Sequence, residues 1–345
     1  CALPICLRTQ TRFDLAVGDV CGERVLRQAI VDYLRVSRSI ECQPEQIFIT
    51  SGYAASMTLI LRALAHPGEG MWVEDPGFPL IRPVVAQERI ELKPVAVDAD
   101  GLDVSAGIRD YPQARFVLLT PAHQSPLGVA LSLDRRHQLL KWATRAQAWV
   151  IEDDYDSEFR LTGKPIPSLQ SMDITQKVIY INTFTKSLSS TMRISYMVLP
   201  PKLANRFLER LSFYSCTVSN FEQYALMRFI NEGCFEKHIN RMRNFYHKQR
   251  DSLLDAIKNS PLASYVTIME EDSGLHFLLK VNTELSDEEL MQRALQKGVK
   301  LNSLSAYYHD SPDDFAAHTF IINYSYLNTT GVEDAIKVLY DVIKK

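Results

Sequence analysis

The feature of this sequence that most constrains its fold is a repeated order of apolar strand, short turn and amphipathic helix. Apolar residues at helical spacing predict helices over residues 22–36, 54–64 and 133–146. Runs rich in Val, Ile and Leu predict strands within residues 47–50, 70–76, 114–121, 148–154 and 177–184. Because strands that alternate with helices build parallel sheets covered on both faces, the pattern predicts an α/β fold with a mostly parallel sheet.

The pattern changes after residue 205, and the chain divides into four predicted segments. Residues 1–20 are expected to form an N-terminal arm, and residues 21–205 a large α/β domain. Residues 206–257 are expected to form a connecting helical region, with a long helical segment from Gln223 to about Ile257. Residues 258–345 combine β-rich runs with two helices and predict a smaller α+β domain.

The composition argues against several classes of protein. With a net charge of -3 over 345 residues, the chain lacks the basic surplus of a DNA-binding domain. The sequence contains no run of about 18 apolar residues that would predict a membrane span, and no signal-peptide pattern. Its six cysteines are scattered without metal-ligand spacing, which favours reduced thiols and a cytoplasmic location. Because the first residue is Cys1 rather than Met, we expect the chain to be part of a longer protein.

A lysine follows the last of these strands, in the segment Thr183-Phe184-Thr185-Lys186-Ser187-Leu188. Burial and neighbouring cations lower the pKa of a lysine and favour the free amine that attacks a carbonyl carbon. Thr183 precedes the lysine and Arg193 follows it, and hydroxyl and guanidinium groups both bind phosphate. The segment predicts a carbonyl-binding amine beside a phosphate site; a surface lysine in a strand-to-loop connection is the competing interpretation.

A cluster of acids ends the preceding strand, in the segment Ile151-Glu152-Asp153-Asp154-Tyr155-Asp156-Ser157-Glu158. A carboxylate at such a strand end can hold the protonated nitrogen of a heterocyclic ring, and a nearby tyrosine can donate to a ring oxygen. Several carboxylates together also suit a metal ion or the N-terminus of a helix. The cluster alone leaves these interpretations open.

The turn Ser51-Gly52-Tyr53-Ala54 opens the helix after the first strand. Backbone N–H groups at a helix N-terminus bind anions, although a Ser-Gly turn is also an ordinary helix cap. All three segments follow strand ends, where open α/β sheets bind their ligands. Together they supply, in chain order, a phosphate-binding helix, an acid for a ring nitrogen and a lysine for a Schiff base.

In this order the segments resemble those of fold type I pyridoxal 5′-phosphate enzymes, the aspartate aminotransferase superfamily. The resemblance is closer to one branch, the MocR subfamily of GntR-type transcriptional regulators. The segments that carry it are VEDPGFP (73–79), TPAHQSPLGVALS (120–132), IEDDYDSEFR (151–160), PIPSLQ (165–170), VIYINTFTKSL (178–188) and MRISYMVLPP (192–201). The resemblance runs from about residue 13 to the C-terminus. It implies the fold type I architecture, with pyridoxal phosphate as cofactor in the large domain.

The resemblance also implies roles for individual residues. Lys186 matches the Schiff-base lysine, Asp153 the carboxylate on the pyridine nitrogen, and Tyr155 the tyrosine near the ring hydroxyl oxygen. Phe78 is a candidate for stacking on the ring, with core packing as the alternative. The phosphate ligands that the resemblance implies are Arg193, Thr183, Thr185, Gly52, Tyr53 and Ala54.

Two positions depart from the pattern of the aminotransferases. Ser125 stands where those enzymes carry the asparagine that holds the ring hydroxyl oxygen. Because serine is shorter, His123 or a water is expected to take over that contact, with a packed loop residue as the alternative interpretation of His123. Ile321 stands where they carry an arginine that clamps the substrate carboxylate. Losing a charge-assisted bidentate contact removes much of the substrate positioning, which argues against ordinary amino-acid transamination.

We therefore expect a domain that binds pyridoxal phosphate and senses an effector, either a small amino compound or pyridoxal phosphate itself. A working aminotransferase is the alternative. The resemblance implies a homodimer, and DNA binding only through an N-terminal winged helix-turn-helix that this chain does not contain. No metal is expected.

Overall fold

The computed structural model describes residues 18–160, 166–211, 214–270, 274–325 and 331–344. Its larger sheet contains β1 (Ile47–Thr50), β2 (Gly70–Asp75), β3 (Glu91–Asp98), β4 (Gly101–Leu102), β5 (Phe116–Leu119), β6 (Trp149–Asp153), β7 (Val178–Thr183) and β8 (Ser195–Val198). The strands follow the spatial order β1-β8-β7-β6-β5-β2-β3-β4. The neighbours from β7 to β3 pair in parallel, whereas β8 and the edge strand β4 pair antiparallel. The predicted mostly parallel sheet is confirmed.

Helices cover both faces of this sheet. The helices up to residue 210 are α1 (Arg24–Ser37), α2 (Tyr53–Leu64), α3 (Ile81–Gln87), α4 (Val104–Asp110), α5 (Leu133–Ala146), α6 (Phe184–Ser187) and α7 (Pro201–Arg210). Successive residues of β5 point to opposite faces: Leu118 packs in a cluster with Met57 of α2, and Val117 in another with Leu139 of α5. A strand buried on both faces reads as a continuous apolar run, which is why the sequence pattern identified β5.

The helical region after α7 differs from its prediction. The predicted long segment is two helices, α8 (Asn220–Asn231) and α9 (Cys234–Lys258). Gly233 separates them with a φ of 68°, a left-handed conformation that glycine adopts without steric penalty. A helical period that continues across one glycine does not reveal such a break.

The C-terminal region forms a small α+β unit, as predicted. Its antiparallel sheet has the order β11-β10-β9, built from β9 (Val266–Met269), β10 (His276–Val281) and β11 (Thr319–Asn323). Helices α10 (Asp287–Gln296) and α11 (Val332–Ile343) accompany it, and short 3₁₀ turns span Pro44–Gln46, Ser157–Phe159, Gln170–Met172, Pro261–Tyr265 and Leu304–Tyr307.

Helix α1 connects the two parts of the core. Its residues Leu26 and Leu34 belong to the same buried cluster as Leu253 of α9 and Phe277 of β10. Of the predicted arm, residues 1–17 lie outside the described residues, and the four segment boundaries stay predictions. None of the helices in the described ranges combines the length and the apolar character that a membrane span requires.

Candidate functional site

A cavity of about 260 Å³ lies where the carboxyl ends of β6 and β7 meet strands β10 and β11 of the small unit. Nine of the residues predicted for the site line it: Tyr53, Phe78, Ser125, Asp153, Tyr155, Thr183, Thr185, Lys186 and Arg193. Ile321 also lines it, from the opposite side. Gly52 and Ala54 are not on its wall, although Gly52 contacts a residue that is. The structure therefore brings together side chains that are far apart in the sequence.

Lys186 is held at the cavity by the end of a buried strand. All six residues of β7 are buried, and the strand ends at Thr183, whose hydroxyl accepts a hydrogen bond from the backbone N–H of Thr185 at 3.2 Å. This cap starts the single helical turn α6, which carries Lys186. Lys186 is partly buried and lines the cavity, so the surface-loop interpretation does not describe its position.

The acid cluster separates into side chains with different surroundings. Glu152 accepts hydrogen bonds from the backbone N–H groups of Leu169 and Gln170 at 2.7 and 2.8 Å. Asp154 forms a buried ion pair with Arg38 at 2.8 Å. Because side chains alternate along a strand, Asp153 between them points the other way, toward the cavity. Within the described residues no group of His, Cys, Asp and Glu side chains is arranged to hold a metal ion.

The carboxyl group of Asp153 is buried and lacks a cationic partner within the described contacts. Its Oδ1 atom is buried without a hydrogen-bond partner among the described residues. Burial, and then the neighbouring carboxylates of Asp154, Asp156 and Glu74, raise the pKa of Asp153 well above its usual range. A protonated ring nitrogen would supply both the missing donor and the missing positive charge. The cavity therefore fits a pyridinium ring at this end.

A second end of the site fits a phosphate. Gly52 caps helix α2 with a φ of 101°, and a Cβ atom there would lie 2.5 Å from Nη2 of Arg193. The guanidinium group thus packs directly over the helix N-terminus, where backbone N–H groups and the helix dipole favour an anion. The hydroxyls of Thr183 and Thr185, 2.8 Å apart, line the same cavity.

Tyr155 is positioned by His123 and Asp156, although His123 was expected to contact the ring hydroxyl oxygen itself. The Nδ1 atom of His123 lies 3.0 Å from the hydroxyl oxygen of Tyr155 and 2.9 Å from Oδ2 of Asp156. His123 does not line the cavity but lies behind Tyr155, on the wall of a neighbouring cleft. It therefore orients the tyrosine, whereas Ser125 itself lines the cavity and hydrogen-bonds to Tyr155.

Phe78 occupies the cavity wall rather than the core. Its side chain is 39% exposed, and its ring centroid lies 6.5 Å from that of Tyr53 at an angle of 68°. This exposure argues against the core-packing alternative. Ring stacking by Phe78 stays a prediction.

The small unit supplies a wall that the sequence only partly indicated. His276, Tyr307 and Asn323 line the cavity together with Ile321. Nε2 of His276 donates to the carbonyl of Pro126 at 2.8 Å, which ties β10 to the Ser125–Pro126 turn. Ile321 and Asn323 lie two residues apart on β11 and so share a face of the strand. In the sequence, the one indication of a role for His276 is that it is a polar residue at the start of an apolar strand.

The comparisons with known proteins agree with this geometry. The family model "Aminotransferase class I and II" matches residues 11–315. A Bacillus subtilis protein named an uncharacterized HTH-type transcriptional regulator, YdeL, is 39% identical over 322 residues, which cover 93% of this chain and 68% of that protein. The probable rhizopine catabolism regulatory protein MocR of Rhizobium meliloti is 35% identical over 320 residues, covering 93% of this chain and 64% of that protein.

Solved structures share the whole architecture. The kynurenine aminotransferase of Pyrococcus horikoshii superposes with a TM-score of 0.85 at 26% identity, over 99% of this chain and 85% of that one. The chain thus spans the fold of an aminotransferase but only 60–68% of the length of several regulators that it matches. It belongs to the aminotransferase class I and II family, with the fold type I architecture, and within that family to the branch of the MocR-type regulators.

Proposed function

We propose that this chain is the pyridoxal phosphate-binding, effector-sensing domain of a transcriptional regulator, in which Lys186 holds the cofactor. Pyridoxal 5′-phosphate is the cofactor of the aminotransferase class I and II family to which the chain belongs. The observation that carries the proposal is the convergence of Lys186, Asp153 and Arg193 on one cavity of about 260 Å³. An amine, a buried acid and a phosphate-binding cation are the groups that this cofactor requires.

Each part of the site has a proposed task. When bound, the cofactor supplies an aldehyde for condensation with amines and a pyridinium ring that withdraws electrons. Lys186 would supply the amine, and Asp153 would keep the ring nitrogen protonated. Arg193, Thr183, Thr185 and the N–H groups at the start of α2 would hold the phosphate. Tyr155, held by His123, would donate its hydroxyl proton to the ring oxygen.

Reconstitution with pyridoxal phosphate tests the proposal. We expect the chain to retain visible absorbance of the cofactor after gel filtration. Borohydride reduction, followed by digestion and mass spectrometry, should place the added mass on the peptide that contains Lys186. The variant Lys186→Ala should lose the covalent label, whereas Lys202→Ala, at an exposed lysine of α7, should keep it. A labelled peptide without Lys186 would contradict the assignment.

Partners and location follow as further parts of the proposal. We propose that the effector, a small amino compound or the cofactor itself, shifts the domain between two arrangements by binding one of them better. DNA binding would reside in a winged helix-turn-helix outside these 345 residues, as the names of the longer regulators suggest. A homodimer in the cytoplasm is the assembly that we propose, and light scattering of the cofactor-loaded chain tests the dimer.

A working aminotransferase is the second candidate, favoured by the 26% identity to a solved aminotransferase along 99% of this chain. Ile321 on the cavity wall argues against an ordinary α-amino acid substrate. Release of keto acid in large molar excess over the chain would favour the enzyme. A spectral change of the bound cofactor without keto acid release would favour the sensor.

A further inference from the structure

We propose that the ligand selected by this cavity is a primary amine without a carboxylate on the carbon that bears the nitrogen. The inference deepens the proposed function and rests on it. It is carried by the small-unit wall, where Ile321, Asn323, His276 and Tyr307 face the cavity.

The described wall of the cavity carries few basic side chains. Apart from His276, the basic side chains on the described wall of the cavity are Lys186 and Arg193. Lys186 is the amine that the cofactor takes, and the guanidinium of Arg193 lies over the helix start at Gly52. Both therefore belong to the large-domain side of the cavity, and the described residues of the small-unit wall add no lysine or arginine that could pair with a carboxylate of the ligand.

Two further basic residues, Arg82 and His309, lie in the pocket next to the cavity. Arg82 lines the adjacent pocket and donates to the backbone carbonyl of Tyr307. His309 lines that same pocket, and its Nδ1 atom lies 3.2 Å from a carboxylate oxygen of Asp310. Both side chains are thus engaged in the adjacent pocket, and neither lines the cavity.

His276 lines the small-unit wall as a neutral ring. A carbonyl oxygen only accepts hydrogen bonds, so Nε2 of His276 must carry the proton that it shares with Pro126. Burial, and then His123, lower the pKa of His276 to about 4, so the ring stays uncharged near neutral pH. Its Nδ1 atom is therefore an acceptor, which repels a carboxylate rather than binding one.

The small-unit wall offers a ligand apolar surface and a hydrogen-bond donor. Ile321 is 8% exposed and presents apolar surface. The side-chain oxygen of Asn323 accepts from the backbone N–H and hydroxyl of Ser325 at 3.0 and 2.7 Å, which leaves its NH₂ group as the donor. Such a wall suits an apolar or weakly polar substituent next to the amine. A carboxylate there would be buried without a charged partner.

Matched pairs of ligands test the inference on the chain loaded with pyridoxal phosphate. We would titrate n-propylamine against 2-aminobutyrate, and 2-phenylethylamine against phenylalanine, because each pair differs only by the carboxylate. Dissociation constants come from the visible spectrum of the bound cofactor, and the shift of the unfolding midpoint gives a second readout. We expect the amine of each pair to bind at least about tenfold more tightly.

The variant Ile321→Arg adds a cation to the small-unit wall. The ratio of the affinity for the amine to the affinity for the amino acid should fall by about tenfold. Ile321→Met serves as the size control and should keep the preference for the amine. Equal or tighter binding of the amino acids by the wild-type chain would overturn the inference, and so would the absence of any response to the amines. In both cases retained cofactor on Lys186 would leave the proposed function intact. Failure to bind the cofactor would overturn both.

Discussion

The two walls of the cavity differ in how their chemistry is specified. The large-domain wall presents its reactive groups at the ends of buried strands, where Asp153 is the last residue of β6 and Lys186 follows β7. The small-unit wall presents single polar residues among apolar ones, such as His276 and Asn323. The large-domain wall fits the cofactor, whose structure is constant. The small-unit wall faces the substituents of the ligand, which differ from one ligand to another. Cofactor affinity and ligand preference should therefore respond to different substitutions.

The substitution Asp153→Asn should have the largest effect on the large-domain wall. It removes the only carboxylate on the described cavity wall, so the affinity for pyridoxal phosphate should fall about 100-fold, roughly 3 kcal/mol. The unliganded chain should be as stable as wild type or about 1 kcal/mol more stable, because the substitution removes a buried carboxyl group that has no cationic partner among the described contacts. Equilibrium dialysis and urea unfolding measure the two effects. Asp98→Asn, at an exposed ion pair with Arg135, is the control; an unchanged cofactor affinity would remove Asp153 from the site.

Gly52→Ala should have the next largest effect. The added Cβ would lie 2.5 Å from the guanidinium of Arg193, in a backbone with a φ of 101°. Cofactor affinity should fall about tenfold, and the free energy of unfolding should fall by about 1–3 kcal/mol. Gly68→Ala separates the two causes, because Gly68 also has a positive φ but has no atom within 4 Å of its added Cβ. If both variants lose cofactor equally, the contact with Arg193 is not responsible.

Two buried groups, Glu74 in the adjacent pocket and His276 on the small-unit wall, should make stability respond to pH in opposite directions. Burial raises the pKa of Glu74, beside Asp153, from 4.5 to about 7, so the folded state holds a proton that the unfolded state releases. The free energy of unfolding should therefore fall as pH rises from about 4.5 to about 7. The pKa of His276 is lowered from 6.5 to about 4 by burial, so its contribution to stability falls as pH drops from about 6.5 to about 4.

Two variants separate these slopes in urea unfolding of the unliganded chain. Between about pH 5 and about pH 7, Glu74→Gln should make the pH dependence more positive by on the order of 1–2 kcal/mol. His276→Gln should make it more negative by a similar amount over the same range. Glu232→Gln, at an exposed position, should leave the curve unchanged. If both variants changed the pH dependence of the free energy of unfolding in the same direction, the opposite contributions assigned to Glu74 and His276 would be contradicted.

Asn323→Ala should have the smallest effect on cofactor binding, because it changes only the small-unit wall. We expect affinity for pyridoxal phosphate within about twofold of wild type, because Asn323 lies on the wall away from the phosphate and the ring nitrogen. Affinity for an amine that carries a hydrogen-bond acceptor, such as ethanolamine, should fall about threefold. Titrations followed by the visible spectrum of the cofactor measure both affinities. A tenfold loss of affinity for pyridoxal phosphate would show that Asn323 contributes to cofactor binding, as the residues of the large-domain wall are expected to do.

Much of the sheet was predictable because its central strands are buried on both faces. Strands β5, β6 and β7 are continuous apolar runs, and the acids and the lysine follow directly where those runs end. Strand β3 was not identified, because it is half-exposed, mixes polar with apolar residues and contains Pro94. The break between α8 and α9 at Gly233 was not predicted, because a change of φ at one residue does not alter the spacing of apolar residues on which the prediction depends.

The sequence by itself determined the fold class and the order of Gly52, Asp153 and Lys186, since strand burial and the alternation of side chains are local properties. Only the tertiary structure decided which acid of the cluster faces the cavity without a cation and which ones bind Arg38 or His123. It also decided that His276, Ile321 and Asn323 face Lys186. These contacts join residues that are far apart in the chain, and no local pattern of apolar and polar residues encodes the distance between them.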